Sequence, residues 1–430
     1  MNTRRGLLAL SPLFLLIVFI VMFTVYSVDK TDDQPNLSLT VAFMLSSIYA
    51  IIISGGIPVR QRIDMFSRGA GSANLMLMLW IYVLAGAFAA SAKGMGSIDA
   101  TVNVALNYLP ASMIMPGLFL AACFISTSIG TSVGTVVALV PIAAGIAHTT
   151  GSNVALMTAV IVGGAYFGDN LSFISDTTVA ATQSQGCKMS DKFRVNFLIV
   201  LPAAILVFII YAFMGQGVKS PAHVPAVDFV KVIPYLVVLI TAICGINVLA
   251  VLTIGIILCG VIGICEGDYG LIGWFANMGD GVLGMGELVI IAMMAGGMLE
   301  IIRANGGIDF IIEKITAHVR GKRGAELSIA GLVSLVNICT ANNTVAILTV
   351  GSISKKISEE YHLDNRKVAS ILDTFSCCVQ GLIPYGVQLL LAAGLSKSNP
   401  MSIITYLYYP AAIGIAALLA IFLRYPKKYS

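Results

Sequence analysis

The sequence predicts an all-α polytopic membrane protein of two inverted-topology repeats, each with a re-entrant hairpin and a broken transmembrane helix, about ten full spans in all. Three observations carry that prediction. Of the 430 residues, 58% are hydrophobic and only 11% are charged, whereas a soluble domain carries roughly 25% charge. Apolar segments of membrane-spanning length recur along the whole chain. The two halves also repeat the same features in the same order.

The first apolar segment covers residues 7–25 and follows Arg4 and Arg5. No small-x-small cleavage site precedes Asp29, so an uncleaved first helix is expected. Segments 37–57 and 75–92 come next, then a mildly polar stretch, 94–110, expected to lie along the interface. Residues 113–148 are apolar but interrupted by Ser126-Thr-Ser-Ile-Gly-Thr-Ser-Val-Gly134, the first hairpin. Residues 153–181 exceed the ~20 that a straight span needs and hold polar groups at mid-length, hence a broken helix. Segment 197–214 closes the first repeat, 1–214, and 215–231 is an external link containing Pro and Gly.

The second repeat, 232–430, opens with segments 232–246, 248–265 and 287–303. A hairpin over 327–357 is interrupted by Thr340-Ala-Asn-Asn-Thr344, a broken helix covers 368–395, and segment 403–423 ends the series. Ala85-Gly86 and Gly96, Ile98 and Asp99 recur 210 residues on as Ala295-Gly296 and Gly306, Ile308 and Asp309. Thr135-Val-Val-Ala138 aligns with Thr344-Val-Ala-Ile347, one residue out of that offset. With both interrupted segments entering and leaving on one side, all but five of the 25 Lys and Arg fall on one face, the exceptions being Lys30, Lys93, Lys219, Lys231 and Lys397. Arg60, Arg68, Lys188, Lys192, Arg320, Lys355 and Lys367 are on the majority side. That is the positive-inside pattern, with both termini cytoplasmic in the cell inner membrane.

Phe167-Gly-Asp-Asn-Leu-Ser-Phe-Ile-Ser-Asp-Thr-Thr178 sets two carboxylates, Asp169 and Asp176, in an apolar segment with Asn170, Ser172, Ser175 and Thr177. A carboxylate at bilayer depth costs roughly 3 kcal/mol, so acids there mark ion or substrate paths. The first hairpin tip adds the hydroxyls of Thr131 and Ser132, and the second adds Asn342, Asn343 and Thr344. Asp373, in the second broken helix, is placed near the position equivalent to the first aspartates, with Lys367 as its alternative partner. Hydroxyl, amide, carbonyl and carboxylate oxygens suit a hard cation such as Na⁺, which is expected at Asp169 and Asp176. The bland alternative is that the tip hydroxyls bond back to their own helices and the glycines only permit close packing. Glu300, within a turn of Arg303, reads as a paired or snorkelling charge.

The eight cysteines show no metal-type spacing and read as small buried hydrophobes. His148, His223, His318 and His362 fall at segment ends or in loops. Gly130-Thr-Ser-Val-Gly134 matches a nucleophile elbow in letters only, because no histidine base lies within a span. The chain is therefore expected not to be an enzyme and to need no cofactor.

Gly168-Asp-Asn-Leu-Ser-Phe-Ile-Ser-Asp-Thr-Thr178, Gly130-Thr-Ser-Val-Gly-Thr135 and Gln185-Gly-Cys-Lys-Met-Ser-Asp191 together resemble the NhaC family of Na⁺/H⁺ antiporters. The resemblance covers most of the chain. It implies a fold of two inverted repeats, each with a hairpin and a broken helix, and cation binding at Asp169, Asn170, Ser172, Ser175, Asp176 and Thr177, faced by Thr131 and Ser132. It also implies Na⁺/H⁺ exchange, since members of the family exchange Na⁺ for H⁺ and some exchange malate or lactate. The second half departs from the family pattern: relatives tend to carry Ser-Pro-x-x-Pro-Trp-Asn where this chain has Gln380-Gly-Leu-Ile-Pro-Tyr-Gly386.

The expected function is exchange of Na⁺ for H⁺ by alternating access, proton and cation competing for buried aspartates. The alternative is a Na⁺-coupled exchanger of small organic acids or amino acids. The Gly- and Ser-lined tips leave room for a small anion, but no arginine is placed at mid-membrane to meet its carboxylate. Partners are thus Na⁺, H⁺ and the lipid bilayer, with a small organic anion and a second copy of the chain as candidates. The net charge of +4 is no evidence for nucleic acid, because the basic residues sort onto membrane loops.

Overall fold

The computed structural model describes residues 3–28, 39–172, 175–218, 224–317, 319 and 321–429. Lys30, Lys219, His223, His318 and Arg320, and Phe173 and Ile174 of the acidic motif, lie outside the described residues. The described chain is helical throughout. Helices α1 (Thr3–Val28), α2 (Leu39–Ile53), α3 (Val59–Ala70), α4 (Ala73–Gly94) and α5 (Ser97–Tyr108) lead into a hairpin of α6 (Ala111–Ile129) and α7 (Ser132–Thr150). A broken helix, α8 (Val154–Leu171) with α9 (Asp176–Gln185), and then α10 (Met189–Gly215) complete the first half.

The second half repeats the order. It runs α11 (Phe229–Ile243), α12 (Val248–Glu266), α13 (Leu271–Gly284), α14 (Gly286–Ala304) and α15 (Gly307–Thr316). A hairpin of α16 (Gly321–Thr340) and α17 (Asn343–Glu360) follows, then a broken helix of α18 (Asn365–Leu382) and α19 (Val387–Ser396), then α20 (Pro400–Thr405) and α21 (Tyr408–Phe422). The expected class, an all-α polytopic membrane protein with a hairpin and a broken helix in each of two repeats, is the class observed. Eight helical segments among the described residues are long and apolar enough to cross a membrane, and three shorter apolar helices accompany them. Large side chains such as Trp80, Phe124, Phe213 and Ile415 stay exposed on the outside of this bundle, as lipid-facing residues do.

Local chemistry explains where the helices stop. At the first tip Gly130 takes a left-handed φ of 74°, which a glycine adopts at no steric cost, and Thr131 is extended at φ −145°. At the second tip Ala341 takes the left-handed turn (φ 50°) and Asn342 the same extended pose (φ −147°). Helix α18 ends at Ile383 because Pro384 follows, and the residue before a proline is driven out of the helical region. Helix α8 ends without a proline, at an extended Ser172.

The register between the halves is constant over this region. Val154 and Asn365, Leu171 and Leu382, Asp176 and Val387, and Gln185 and Ser396 each stand 211 positions apart. The sequence match of Thr135 with Thr344 is therefore corrected: the structure sets Thr131 opposite Asn342, since cap geometry fixes the pairing where two apolar sequences align equally well at several offsets.

The halves interlock. Helix α4 packs on α13 and α14 on α3, while α7 packs on α19 and α17 on α9. Two glycine crossings make this possible. A Cβ on Gly86 would overlap the carbonyl oxygen of Gly281, and one on Gly69 would overlap that of Gly296. Backbones meet at these points because no side chain intervenes.

Candidate cation site

Asp169 is buried in the last turn of α8. Its two carboxylate oxygens are held from the first hairpin tip: the Ser132 amide donates to Oδ1 at 3.0 Å and the Ser132 hydroxyl to Oδ2 at 2.6 Å. The Ser132 amide is free to do this because the first amides of α7 have no partner within their own helix. Among the described residues, no ion pair reaches this carboxylate. The Asp169 carbonyl, left open where α8 stops, accepts the Thr177 hydroxyl at 3.1 Å, and Ser175 and Thr177 share a hydrogen bond of 2.9 Å.

These groups border a cavity of about 90 Å³. Asp169, Ser175, Asp176 and Thr177 come to it from the first broken helix, and Thr131 and Ser132 from the first tip. Asn342, Asn343 and Thr344 come from the second tip and Gln380 from the second break. At about 30 Å³ per water, the space suits a small ion with a few waters. Asp176 is exposed and begins α9, where an acid is favoured by the helix dipole.

The second-repeat oxygens are less available. Asn342 Oδ1 caps the Val345 amide at 3.0 Å and Asn343 Oδ1 accepts the Thr344 amide at 3.0 Å. The constant register makes Gln380, not Asp373, the counterpart of Asp169, and it sets Val387 opposite Asp176. Gln380 donates to the Ala341 carbonyl at 3.0 Å and to Gln388 Oε1 at 3.2 Å, and Gln388 donates to the Ser132 hydroxyl at 3.0 Å. A directed chain of donors thus runs from Gln380, through Gln388 and Ser132, to Asp169, while Gln380 also donates to the second hairpin tip. Gln388 is absent from the residues that sequence reasoning selects, although its position opposite Thr177 is the register's own signal.

Asn170, Ser172 and Asp373 are buried but do not border the cavity. Asp373 lies in the body of α18, nine residues before its end, and its partner is not Lys367. Its Oδ2 is 2.6 Å from the Nζ of Lys192 and accepts hydrogen bonds from Asn196 at 3.0 Å and Asn170 at 3.2 Å. Lys192 is one of the most deeply buried side chains in the molecule, not the loop residue expected from its position near the start of α10. The legible signal is its spacing of four from Asn196, which puts two polar groups on one face of an apolar helix. Lys367 instead pairs with Glu326 at 3.0 Å, tying α18 to α16.

A larger cavity of about 340 Å³ adjoins the first and shares Met78, Asn342 and Val387 with it. Arg68, Glu300 and Arg303 line it, so two arginines border a space beside the site. All eight cysteines are unpaired, and Cys244 and Cys265 are exposed where buried side chains were expected.

Hairpin tips that close on an acid at the end of a broken helix, within a repeated membrane fold, define a secondary ion transporter. The chain belongs to the Na⁺/H⁺ antiporter family, which it matches over residues 7–216 and 220–427. It is 24% identical over 396 residues to the Na⁺/H⁺ antiporter NhaC of Bacillus subtilis (strain 168), covering 83% of this chain and 85% of that protein. It is 20% identical over 441 residues to the malate-2H⁺/Na⁺-lactate antiporter of the same organism, covering 94% of this chain and 91% of that protein. Among solved structures, the Alcanivorax borkumensis YdaH transporter, described as having an unusual topology, aligns over 97% of this chain and 99% of that one, at 12% identity and a TM-score of 0.42.

Proposed function

We propose that this protein exchanges Na⁺ for H⁺ across the cytoplasmic membrane, with Asp169 as the group for which the two ions compete. The observation that carries the reading is the pair of buried aspartates with opposite surroundings. Asp373 is neutralised by Lys192, whereas Asp169 faces a cavity and, among the described residues, its carboxylate is held by Ser132 donors alone. A carboxylate in that setting must take up either a proton or a cation, because a bare buried charge is too costly.

Each occupant excludes the other, and that exclusion is the coupling. The Ser175 and Thr177 hydroxyls and the Thr131 tip supply further neutral oxygens, and Asp176 draws cations to the rim. Movement of the hairpins against the broken helices then exposes the site to one side at a time. The residue ranges 1–214 and 232–430 are the inverted repeats of this scheme, joined by 215–231. The positive-inside count supports a cytoplasmic position for both termini.

The test is Na⁺-dependent proton flux in proteoliposomes. Wild-type protein is expected to move protons when Na⁺ is supplied, and Asp169→Asn is expected to insert normally and move none. Undiminished flux from Asp169→Asn would sink the reading.

A second reading, coupled exchange of a small organic anion, is favoured by the adjoining cavity with Arg68 and Arg303 in its wall. Guanidinium groups suit carboxylates, and the space exceeds what an alkali ion needs. Malate and lactate supplied in the same assay separate the two readings: only the second requires either to stimulate Na⁺ movement.

A further inference from the structure

Beside the break between α8 and α9, among residues that do not line the cavity, the Lys192 ammonium spends all three of its hydrogens on oxygens. It reaches Asp373 Oδ2 at 2.6 Å, the Asn170 carbonyl at 2.7 Å and the Thr178 hydroxyl at 2.7 Å. The Asn170 carbonyl lies in the last turn of α8, which ends one residue later, and it accepts the Asn196 amide at 2.9 Å as well as Lys192. A carboxylate, an open carbonyl at the negative end of a half-helix and a hydroxyl are the ligands that broken helices offer to alkali cations. The surroundings also hold spare acceptors: among the described residues, Asp373 Oδ1 and Asn196 Oδ1 are buried without a hydrogen-bond donor. The Lys192 and Asp373 side chains are 1% and 0% exposed, so bulk water does not supply the missing partners.

We propose that this is a second cation cradle, which the chain fills with its own Lys192 ammonium. The tethered charge leaves the Asp169 site as the single place where a transported cation is held. Lys192 is in this sense a positioning residue for ion count: it neutralises Asp373 and holds the Asn170 carbonyl one residue from Asp169. Removal of the side chain leaves the carboxylate, the carbonyl and the hydroxyl facing a space that an alkali ion of the same charge fits.

The inference rests on the Asp169 reading for the ion count and on separate residues for its chemistry. The experiment is equilibrium dialysis of full-length, detergent-solubilised protein against radioactive sodium. Lys192→Ala is expected to double the sodium bound per chain relative to wild type. Lys192→Arg is expected to leave the count unchanged, and Lys192→Ala combined with Asp373→Asn to return it to the wild-type level. Equal counts for wild type and Lys192→Ala overturn the proposal.

If Lys192→Ala fails to purify without sodium, its melting temperature is compared in sodium chloride and choline chloride. A larger sodium-dependent rise than in wild type supports the cradle, and an equal rise overturns it. Sodium bound by Lys192→Ala but not by wild type would sink the Asp169 reading and keep this one. Binding by neither sinks both.

Discussion

The two broken helices share one register and do opposite jobs. Where the first has Asp169, Asp176 and Thr177, the second has Gln380, Val387 and Gln388. The first break ends in an acid open to a cavity. The second ends in amides that donate toward that acid, through Gln388 and Ser132. The two breaks thus share one frame, and only the first carries a carboxylate at its end. A repeat's geometry and its chemistry are therefore separable: the same register of caps and turns breaks the helix whether its end carries Asp169 or Gln380.

That contrast can be broken experimentally, beginning at the acid itself. Asp169→Asn is expected to cut Na⁺-dependent flux by more than about a hundredfold, the loss of some ~3 kcal/mol of ion–carboxylate interaction, while Gln380→Leu keeps most of it. Comparable losses in both variants would show the second break to be as ion-bearing as the first. Asp373→Asn strands the Lys192 ammonium, and a destabilisation of ~3 kcal/mol or more is expected by thermal melting in detergent. An unchanged melting temperature would mean that the pair does not hold α10 to α18. Asp176→Asn, at an exposed rim, is expected to weaken apparent Na⁺ affinity about tenfold with maximal flux retained. The smallest effect belongs to Gln388→Leu, which cuts the donor chain to Ser132. A cost of about 1 kcal/mol is expected, read as a few-fold shift in the pH dependence of flux. No shift at all would leave Gln388 as packing.

Much of this was legible in the residues alone. Apolar segment lengths fixed the class of fold, and polar interruptions at Ser126–Gly134 and Thr340–Thr344 located both tips. The acidic motif located the first break, because carboxylates in an apolar run demand an explanation. The second half was harder. Asp373 stands out as an acid, yet its position within α18 follows from where Pro384 ends that helix, and the counterpart of Asp169 is a neutral glutamine. Lys192 is hidden by the rule that places it, since a lysine near a helix start ordinarily faces water. Its carboxylate partner, Asp373, lies 181 positions away, and pairings of that span leave no local signature.

The glycine crossings at Gly86–Gly281 and Gly69–Gly296 carry a consequence for how such a protein is assembled. Each half lends helices to the wall of the other, so neither half is a finished object. A chain cut within 215–231 is expected to yield two fragments that survive when made together and are degraded when made apart.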